Sequence, residues 1–157
     1  MRAAGADWFF RNGSPFCNMS ESGFTLAKSE RLCNRHLIER LFEEGASVSA
    51  FPIRIVYRIS EPIDGGPVAT VLFSVSKKRF KRAVCRNRTK RQLREMYRHS
   101  SGQLALKLTQ AGCAMTLSLV FCDSRLWTSR ELGERFLAAM SKLSARIDDY
   151  VSGQNDK

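Results

Sequence analysis

Hydrophobic positions recur along the chain at spacings that predict three helices. The first helix is expected over 31–44, where apolar residues stand three or four apart and Gly45 follows at a typical helix end. The second is expected over 83–99. The third is the clearest, because Thr128 and Glu131 have the spacing of a capping box before an apolar stripe at helical spacing. We expect this stripe to face the core: Leu132, Phe136, Met140, Leu143, Ile147 and Val151.

Three stretches rich in Val, Ile, Leu and Phe predict β-strands, and they are 48–59, 68–76 and 114–122. Turn-forming residues at 61–67 separate the first two stretches, which we expect to form a hairpin. Pro52 cannot donate to a β-ladder, so the first strand should lie at a sheet edge or carry a bulge there. The stretch 102–112 gives no clear signal. The order helix, strand, strand, helix, strand, helix predicts an α+β fold, a small two-layer sandwich.

The chain has 157 residues, of which 43% are apolar, and this is enough for one domain with a buried core. We expect a flexible N-terminal arm over 1–27, because this segment lacks periodicity and carries several glycines and serines. A folded domain is expected over 28–152 and a disordered tail over 153–157. Met19 is hypothesised to be the native start, which mass spectrometry of the native protein would test.

Neither the N-terminus nor the cysteines indicate secretion. The first residues lack the segments of a signal peptide, and the charge-free run 108–122 has 15 residues, too few to span a bilayer. The five cysteines are odd in number and no two have the spacing of a zinc knuckle. We therefore expect reduced thiols, no metal bound by this chain, and a cytoplasmic protein.

Positive charge is concentrated in one short stretch. The 26 Lys and Arg exceed the 15 Asp and Glu by 11, which indicates a polyanionic partner. Between 77 and 98 only one acid, Glu95, accompanies eleven basic residues: Lys77, Lys78, Arg79, Lys81, Arg82, Arg86, Arg88, Lys90, Arg91, Arg94 and Arg98. A solvated surface normally interleaves both signs, so we interpret this stretch as a nucleic-acid contact.

A helical wheel divides the second helix into a core arc and a basic ridge. The core arc consists of Cys85, Thr89, Leu93, Met96 and Tyr97. The basic ridge consists of Asn87, Lys90, Arg91, Arg94 and Arg98. Successive guanidinium groups along one ridge suit a row of phosphates. Since like charges at these spacings destabilise an isolated helix, a polyanionic partner explains them better than folding does.

Charge and periodicity leave open which polyanion the protein binds and what its activity is. Aromatic residues on the predicted strands favour RNA over DNA, because unpaired bases stack on such side chains: Phe51, Tyr57 and Phe73. A ribosomal-type or RNA-chaperone module with no part in cleavage has the same design. A DNA-binding regulator would need a recognition helix, and a peripheral membrane protein would need bulky apolar residues beside the ridge.

A nuclease activity of the chain itself has little support in the sequence. A metal-dependent nuclease needs convergent carboxylates, and the adjacent Asp148 and Asp149 would diverge on a helix. An acid/base pair formed by His36 and His99, the only histidines, is not excluded by the sequence.

Two motifs are more specific than the charge. Ser-Val-Ser-Lys-Lys at 74–78 is followed, after a basic turn, by Arg-Asn-Arg at 86–88, which opens the basic helix. The strand end, the turn and this RNR-motif helix, in this order, resemble the protein subunit of bacterial ribonuclease P, and the resemblance extends over about 30–143. A generic phosphate binder would need the arginines but not Asn87, which separates this family from a general RNA-binding module.

The resemblance implies a left-handed β-α-β crossover through the RNR helix, as in domain 2 of ribosomal protein S5. It also implies that the RNA subunit, using Mg²⁺, hydrolyses one phosphodiester to remove the 5′ leader of precursor tRNA. The protein would be an accessory subunit with no catalytic residue and no obligate protein partner. The RNR-helix residues that the resemblance assigns to the catalytic RNA are Arg86, Asn87, Arg88, Lys90, Arg91, Arg94 and Arg98. The basic turn adds Lys77, Lys78, Arg79, Lys81 and Arg82.

A cleft between the first helix and the sheet takes the single-stranded leader in this family. The candidates that the resemblance implies here are Ile38, Phe42, Val56, Tyr57, Ser74 and Ser76, with Lys78 at the strand end. Ile38 stands where many members carry an aromatic residue, and Val56 and Tyr57 are alternatives for one position.

Overall fold

The computed structural model describes residues 26–155. A short 3-10 turn, Lys28–Glu30, precedes the first helix. The helices are α1 (Arg35–Glu44), α2 (Ala83–Ala111) and α3 (Ser129–Asn155). The strands are β1 (Ala46–Ala50), β2 (Ile53–Ser60), β3 (Ala69–Val75) and β4 (Ala114–Phe121).

The four strands form one sheet in the order β1-β2-β4-β3. Neighbouring strands are antiparallel except β3 and β4, which are parallel and are joined through α2. The segment before α1 pairs briefly with the outer edge of β3, where the Leu32 amide donates to the Val71 carbonyl at 2.9 Å. The α+β class is confirmed, and so is a crossover through the second helix; its left hand stays a prediction.

The predicted hairpin between 48–59 and 68–76 is wrong. Phe51 and Pro52 divide the first stretch into β1 and β2, and these two strands form the hairpin, with Ala50 opposite Ile53. Proline has no N–H for the ladder, so the strand could not continue through it. β4 lies between β2 and β3 because its apolar side chains are buried by pairing and packing in the middle of the sheet. Local turn chemistry carries no information on that insertion.

The second helix is longer than the prediction of 83–99. α2 has 29 residues and includes 102–111, while Gly112 ends it in the left-handed conformation at φ 64°. Ser100 and Ser101 interrupt the apolar pattern, but their hydroxyls donate to carbonyls of the preceding turn. The core arc therefore resumes beyond them, and the helix continues.

The predicted end segments are only partly within the described residues. Most of the predicted arm, 1–25, and the hypothesis about Met19 lie outside them; Leu26 packs against the core. The predicted tail is wrong over 153–155, since α3 continues to Asn155.

Alternation along the strands assigns side chains to two faces of the sheet. Ile55 and Leu117 belong to the main core, which α2 and α3 cover; we call this the core face. Val56, the next residue of β2, belongs to a small cluster with Leu32 and Leu41. α1 lies across this second face, which we call the α1 face. The helices therefore leave part of the α1 face open.

Candidate nucleic-acid interface

The basic ridge predicted on the second helix lies on the exposed side of α2. Leu93 and Tyr97 are buried on the opposite arc, whereas Arg91 and Arg94 are exposed. Glu95, the one acid among the eleven basic residues, pairs with Arg98 at 2.9 Å. Glu95 offsets Arg98 alone, so the charges of the exposed Arg91 and Arg94 stay available to phosphates.

Arg94 is positioned by an aromatic pair beside β3. Its guanidinium carbon lies 6.0 Å from the centroid of the Phe73 ring, and Phe73 meets Tyr97 edge to face at 5.8 Å. A cation–π contact restrains the side chain without using its N–H donors. Burial, with a smaller effect of Glu30, raises the pKa of the Tyr97 phenol, so this group stays neutral. Arg94 can therefore offer all its donors from a restrained position.

Arg86 holds the basic turn in place instead of projecting from the ridge. Its Nη1 donates to the carbonyls of Phe80 and Lys81, both at 2.8 Å. Phe80 is itself buried and stacks on Phe121, with ring centroids 5.8 Å apart. Arg86 thus has a structural role that the sequence analysis missed, while Arg88 beside it is exposed.

The basic turn, residues 77–82, presents its cations at the end of β3. Ser76 closes the turn, because its Oγ accepts from the Lys78 amide at 3.2 Å and its carbonyl accepts from the Arg79 amide at 3.1 Å. Ser76 is therefore a cap of the turn, although it was predicted to face the leader. The exposed cations of the turn are Lys77, Lys78, Arg79, Lys81 and Arg82.

The α1 face holds most of the predicted leader residues and excludes one. Phe42 is 49% exposed, and Ile38 packs against the small cluster. Val56 lies on this face but is buried with Leu41 beneath α1, so it supports the helix. Tyr57 is wrong as a leader candidate: it faces the core, where burial raises its pKa, because adjacent strand residues face opposite sides.

Alternation places on the α1 face a cation that the sequence analysis missed. Arg54, two residues before Val56, is exposed, and its Nη2 donates to a serine hydroxyl of β1 at 3.3 Å. Arg58, two residues after Val56, is engaged by Glu44 at the end of α1, at 3.0 Å. The signal in the sequence is the period of two along a strand, which places Arg54 on the same face as Val56. Ser74 of β3 lies on the same face and is partly exposed.

The other candidate chemistry is dispersed. His36 lies in α1 and His99 in α2, on opposite faces of the sheet, so they form no acid/base pair. Asp148 pairs with Lys107 of α2 at 2.8 Å. Within residues 26–155, no group of three His, Cys, Asp or Glu could hold a metal ion. In the same part of the chain, no helix has both the length and the apolarity needed to cross a membrane.

A sheet covered by a helix with an exposed basic ridge, next to a basic turn, is the arrangement of a nucleic-acid-binding α+β protein. Comparison with known proteins makes this specific. A family model described as Ribonuclease P matches residues 26–116. The ribonuclease P protein component of Porphyromonas gingivalis is 47% identical over 132 residues, covering 84% of this chain and 93% of that one. The chain belongs to the ribonuclease P protein family.

More distant relatives agree with this assignment. The ribonuclease P protein component of Chlorobium phaeobacteroides is 40% identical over 82 residues, 51% of this chain and 56% of that one. The structure of the Staphylococcus aureus RNase P protein superposes with a TM-score of 0.53 at 19% identity, covering 74% of this chain and 96% of that one. At this identity the superposition confirms the fold. As a ribonuclease P protein component, the chain is part of an endoribonuclease holoenzyme of tRNA processing and associates with RNase P RNA.

Proposed function

We propose that this chain binds RNase P RNA through α2 and the basic turn, and the 5′ leader of precursor tRNA on the α1 face. The RNA subunit hydrolyses the phosphodiester, and the protein acts as its accessory subunit in the cytoplasm. The observation that carries the proposal is the exposed arc of α2, where cations outnumber acids while the opposite arc is buried.

RNase P RNA is proposed to contact the basic ridge and its neighbours. Exposed arginines such as Arg91 and Arg94 suit phosphates on successive nucleotides, because each guanidinium can donate two parallel hydrogen bonds. Asn87 is exposed one turn before Arg91 and offers both a donor and an acceptor. Lys90 and Arg98 flank these residues and are partly buried, so their charge is less accessible.

The leader is proposed to lie on the part of the α1 face that α1 leaves open. Phe42 offers a half-exposed ring to one unpaired base, and Ile38 offers an apolar contact beside it. Arg54 can bind a leader phosphate, since its partner among the described residues is a neutral hydroxyl. Ser74 can donate to a base edge or a phosphate.

The mechanism proposed for the protein is electrostatic. Lys and Arg offset the repulsion between substrate and catalytic RNA, which lowers the magnesium concentration needed for binding and cleavage. Mg²⁺ is proposed to be held by the RNA subunit. If about six to eight phosphates are engaged, log affinity falls with log salt at a slope of roughly −4 to −7.

The test is cleavage of a leader-bearing precursor tRNA at low magnesium by a bacterial RNase P RNA alone, by the protein alone, and by both together. We expect cleavage at the mature 5′ end only when both are present. Cleavage by the protein alone would overturn the division of labour. Binding without any stimulation of several catalytic RNAs would favour an RNA-binding module instead.

The leader contact is tested separately with Arg54→Gln. The variant holoenzyme should lose affinity for a leader-bearing precursor tRNA and keep its affinity for a leaderless one. Arg146→Gln is a matched control, because Arg146 is a surface arginine of α3, 60% exposed and remote from the α1 face. Equal loss with both substrates would contradict the assignment of Arg54 to the leader.

A further inference from the structure

An aromatic patch outside the ridge and the α1 face lies at the end of the sheet. We call it the Phe51 patch; it consists of Phe51, Arg125, Leu126 and Trp127. Phe51 is 60% exposed in the turn between β1 and β2, and Leu126 is 41% exposed after β4. Phe51 lies against Trp127, which also carries Arg125, so the exposed ring belongs to a contiguous apolar surface beside a cation, and such surfaces mark interaction sites.

The patch is held in one arrangement by its hydrogen bonds. The Trp127 Nε1 donates to Asp123 Oδ2 at 2.8 Å, and the Ser124 amide donates to the other carboxylate oxygen at 2.6 Å. Trp127 is 9% exposed, and Phe51 meets it edge to face at 6.2 Å. The Arg125 guanidinium covers the indole, with 4.4 Å between its carbon and the ring centroid. A partner therefore meets a preformed surface, with one free aromatic ring and one positioned cation.

The patch is continuous with the RNA-binding helix. Gln92 of α2 donates from Nε2 to the Trp127 carbonyl at 3.2 Å and to the Ser129 hydroxyl at 3.1 Å. Arg88, one turn before Gln92 on the same flank of α2, is exposed. Trp127 also packs in the core-face cluster, on the side of the sheet away from α1. The patch thus extends the surface for RNase P RNA and is separated by the sheet from the proposed leader site.

We propose that the Phe51 patch binds one unpaired nucleotide of RNase P RNA, with its base stacked on Phe51 and its phosphate on Arg125. Stacking suits any base, because every base has a π-face, and an arginine beside an aromatic ring adds a phosphate contact without sequence readout. The inference rests on the association with RNase P RNA. It adds a contact that neither the RNR motif nor the leader site includes.

The first experiment measures the affinity of Phe51 variants for RNase P RNA. Phe51→Ala should weaken binding about 5- to 150-fold, the range expected for loss of one base–aromatic stack. Phe51→Tyr should restore the affinity, whereas Phe51→Leu, which keeps apolar area without a π-face, should not. Ile63→Ala is the matched control, since Ile63 is 77% exposed in the turn at the opposite end of the sheet.

The second experiment separates the base from the phosphate. Arg125→Gln should reduce the slope of log affinity against log salt by about 0.7 to 0.9, the loss of one phosphate contact, whereas Phe51→Ala should leave the slope unchanged. Chemical probing of the RNA should show one unpaired nucleotide that wild-type protein protects and the Phe51→Ala protein does not. Urea denaturation of each variant confirms that it is folded.

Three results would overturn the inference. The first is a Phe51→Ala protein that binds RNase P RNA as tightly as wild type. The second is a loss of affinity seen only with leader-bearing precursor tRNA, which would assign the patch to the leader. The third is a change in sedimentation of the free protein, which would assign the patch to a second copy of this chain. If wild-type protein binds no RNase P RNA, the proposed function itself is wrong. If wild type binds and Phe51→Ala binds equally well, only the assignment of the Phe51 patch is wrong.

Discussion

Replacing Arg86 by glutamine should impair folding stability, whereas replacing Arg91 should impair RNA binding, although both residues belong to the basic stretch of α2. The Arg86 guanidinium donates to two carbonyls of the basic turn, each at 2.8 Å. Arg91 is exposed on the ridge. We expect Arg86→Gln to lower the free energy of unfolding and Arg91→Gln to lower the affinity for RNase P RNA.

The magnitude for Arg86→Gln follows from its two hydrogen bonds. A hydrogen bond from a charged group contributes about 1.5–3 kcal/mol, and water can replace the bond to the exposed Lys81 carbonyl more easily than the one to the half-buried Phe80 carbonyl. The net loss should therefore be near one such bond, about 1.5–3 kcal/mol. With a urea dependence of about 2 kcal/mol per M, the midpoint falls by roughly 1 M.

Arg91→Gln should change the free energy of unfolding by less than about 0.5 kcal/mol, as is usual for an exposed side chain. Its slope of log affinity against log salt should fall by about 0.7 to 0.9, because one phosphate contact is lost. The assays are urea denaturation by circular dichroism and filter binding to RNase P RNA at several salt concentrations. An Arg86→Gln protein with the wild-type urea midpoint would refute the role of the Arg86 guanidinium in holding the turn.

Three further predictions concern the supports of these surfaces. Leu41→Ala, which empties the small cluster beneath α1, should cost about 2–5 kcal/mol and speed hydrogen exchange of α1 amides more than of α2 amides; equal acceleration in both helices would contradict a local role. Trp127→Phe removes the donor that most lowers the pKa of Asp123, so NMR titration should show that pKa raised. A carboxyl group whose pKa is lowered in the folded state adds stability at pH values above its unfolded-state pKa, and this stability is lost as the pH falls through the folded-state pKa. The difference in unfolding free energy between wild type and variant should therefore shrink on acidification, and a constant difference would contradict this linkage. Lys107→Met removes the ion pair to Asp148 that joins α2 to α3, so the free energy of unfolding measured in urea should fall by about 1 kcal/mol. An unchanged free energy of unfolding would show that this ion pair does not stabilise the fold.

The elements that local chemistry controls were predictable. The start of α3 is one case: Thr128 and Glu131 form the expected capping box, with the Glu131 amide donating to Thr128 Oγ1 at 3.3 Å. The Thr128 hydroxyl and amide donate back to the Glu131 carboxylate and lower its pKa. The buried arc of α2 is another, since Leu93 and Tyr97 are found on the side that the helical wheel predicts. In both cases the residues that determine the structure are within one or two helical turns of each other.

The roles of several predicted site residues could not be read locally. Val56 and Tyr57 were equivalent in the sequence, and only the direction in which β2 faces α1 separates them. Arg86 matches the RNR motif as well as Arg88 does, yet the path of the turn brings the carbonyls of Phe80 and Lys81 to it. Arg54 matches no motif, and only its place on the α1 face makes it a candidate for the leader.

The sequence by itself determined that the partner is a polyanion, because net charge and its concentration between 77 and 98 do not depend on folding. It also determined the presence of three helices, through periodicity and capping, and the family, through the strand-end and RNR motifs. The tertiary structure decided that β4 separates β2 from β3, which side chains face α1, and that Phe51 meets Trp127. The segments that meet in these contacts are distant in the chain. They come together because β4 buries its apolar side chains in the middle of the sheet, and the free energy of that burial depends on the whole assembled core.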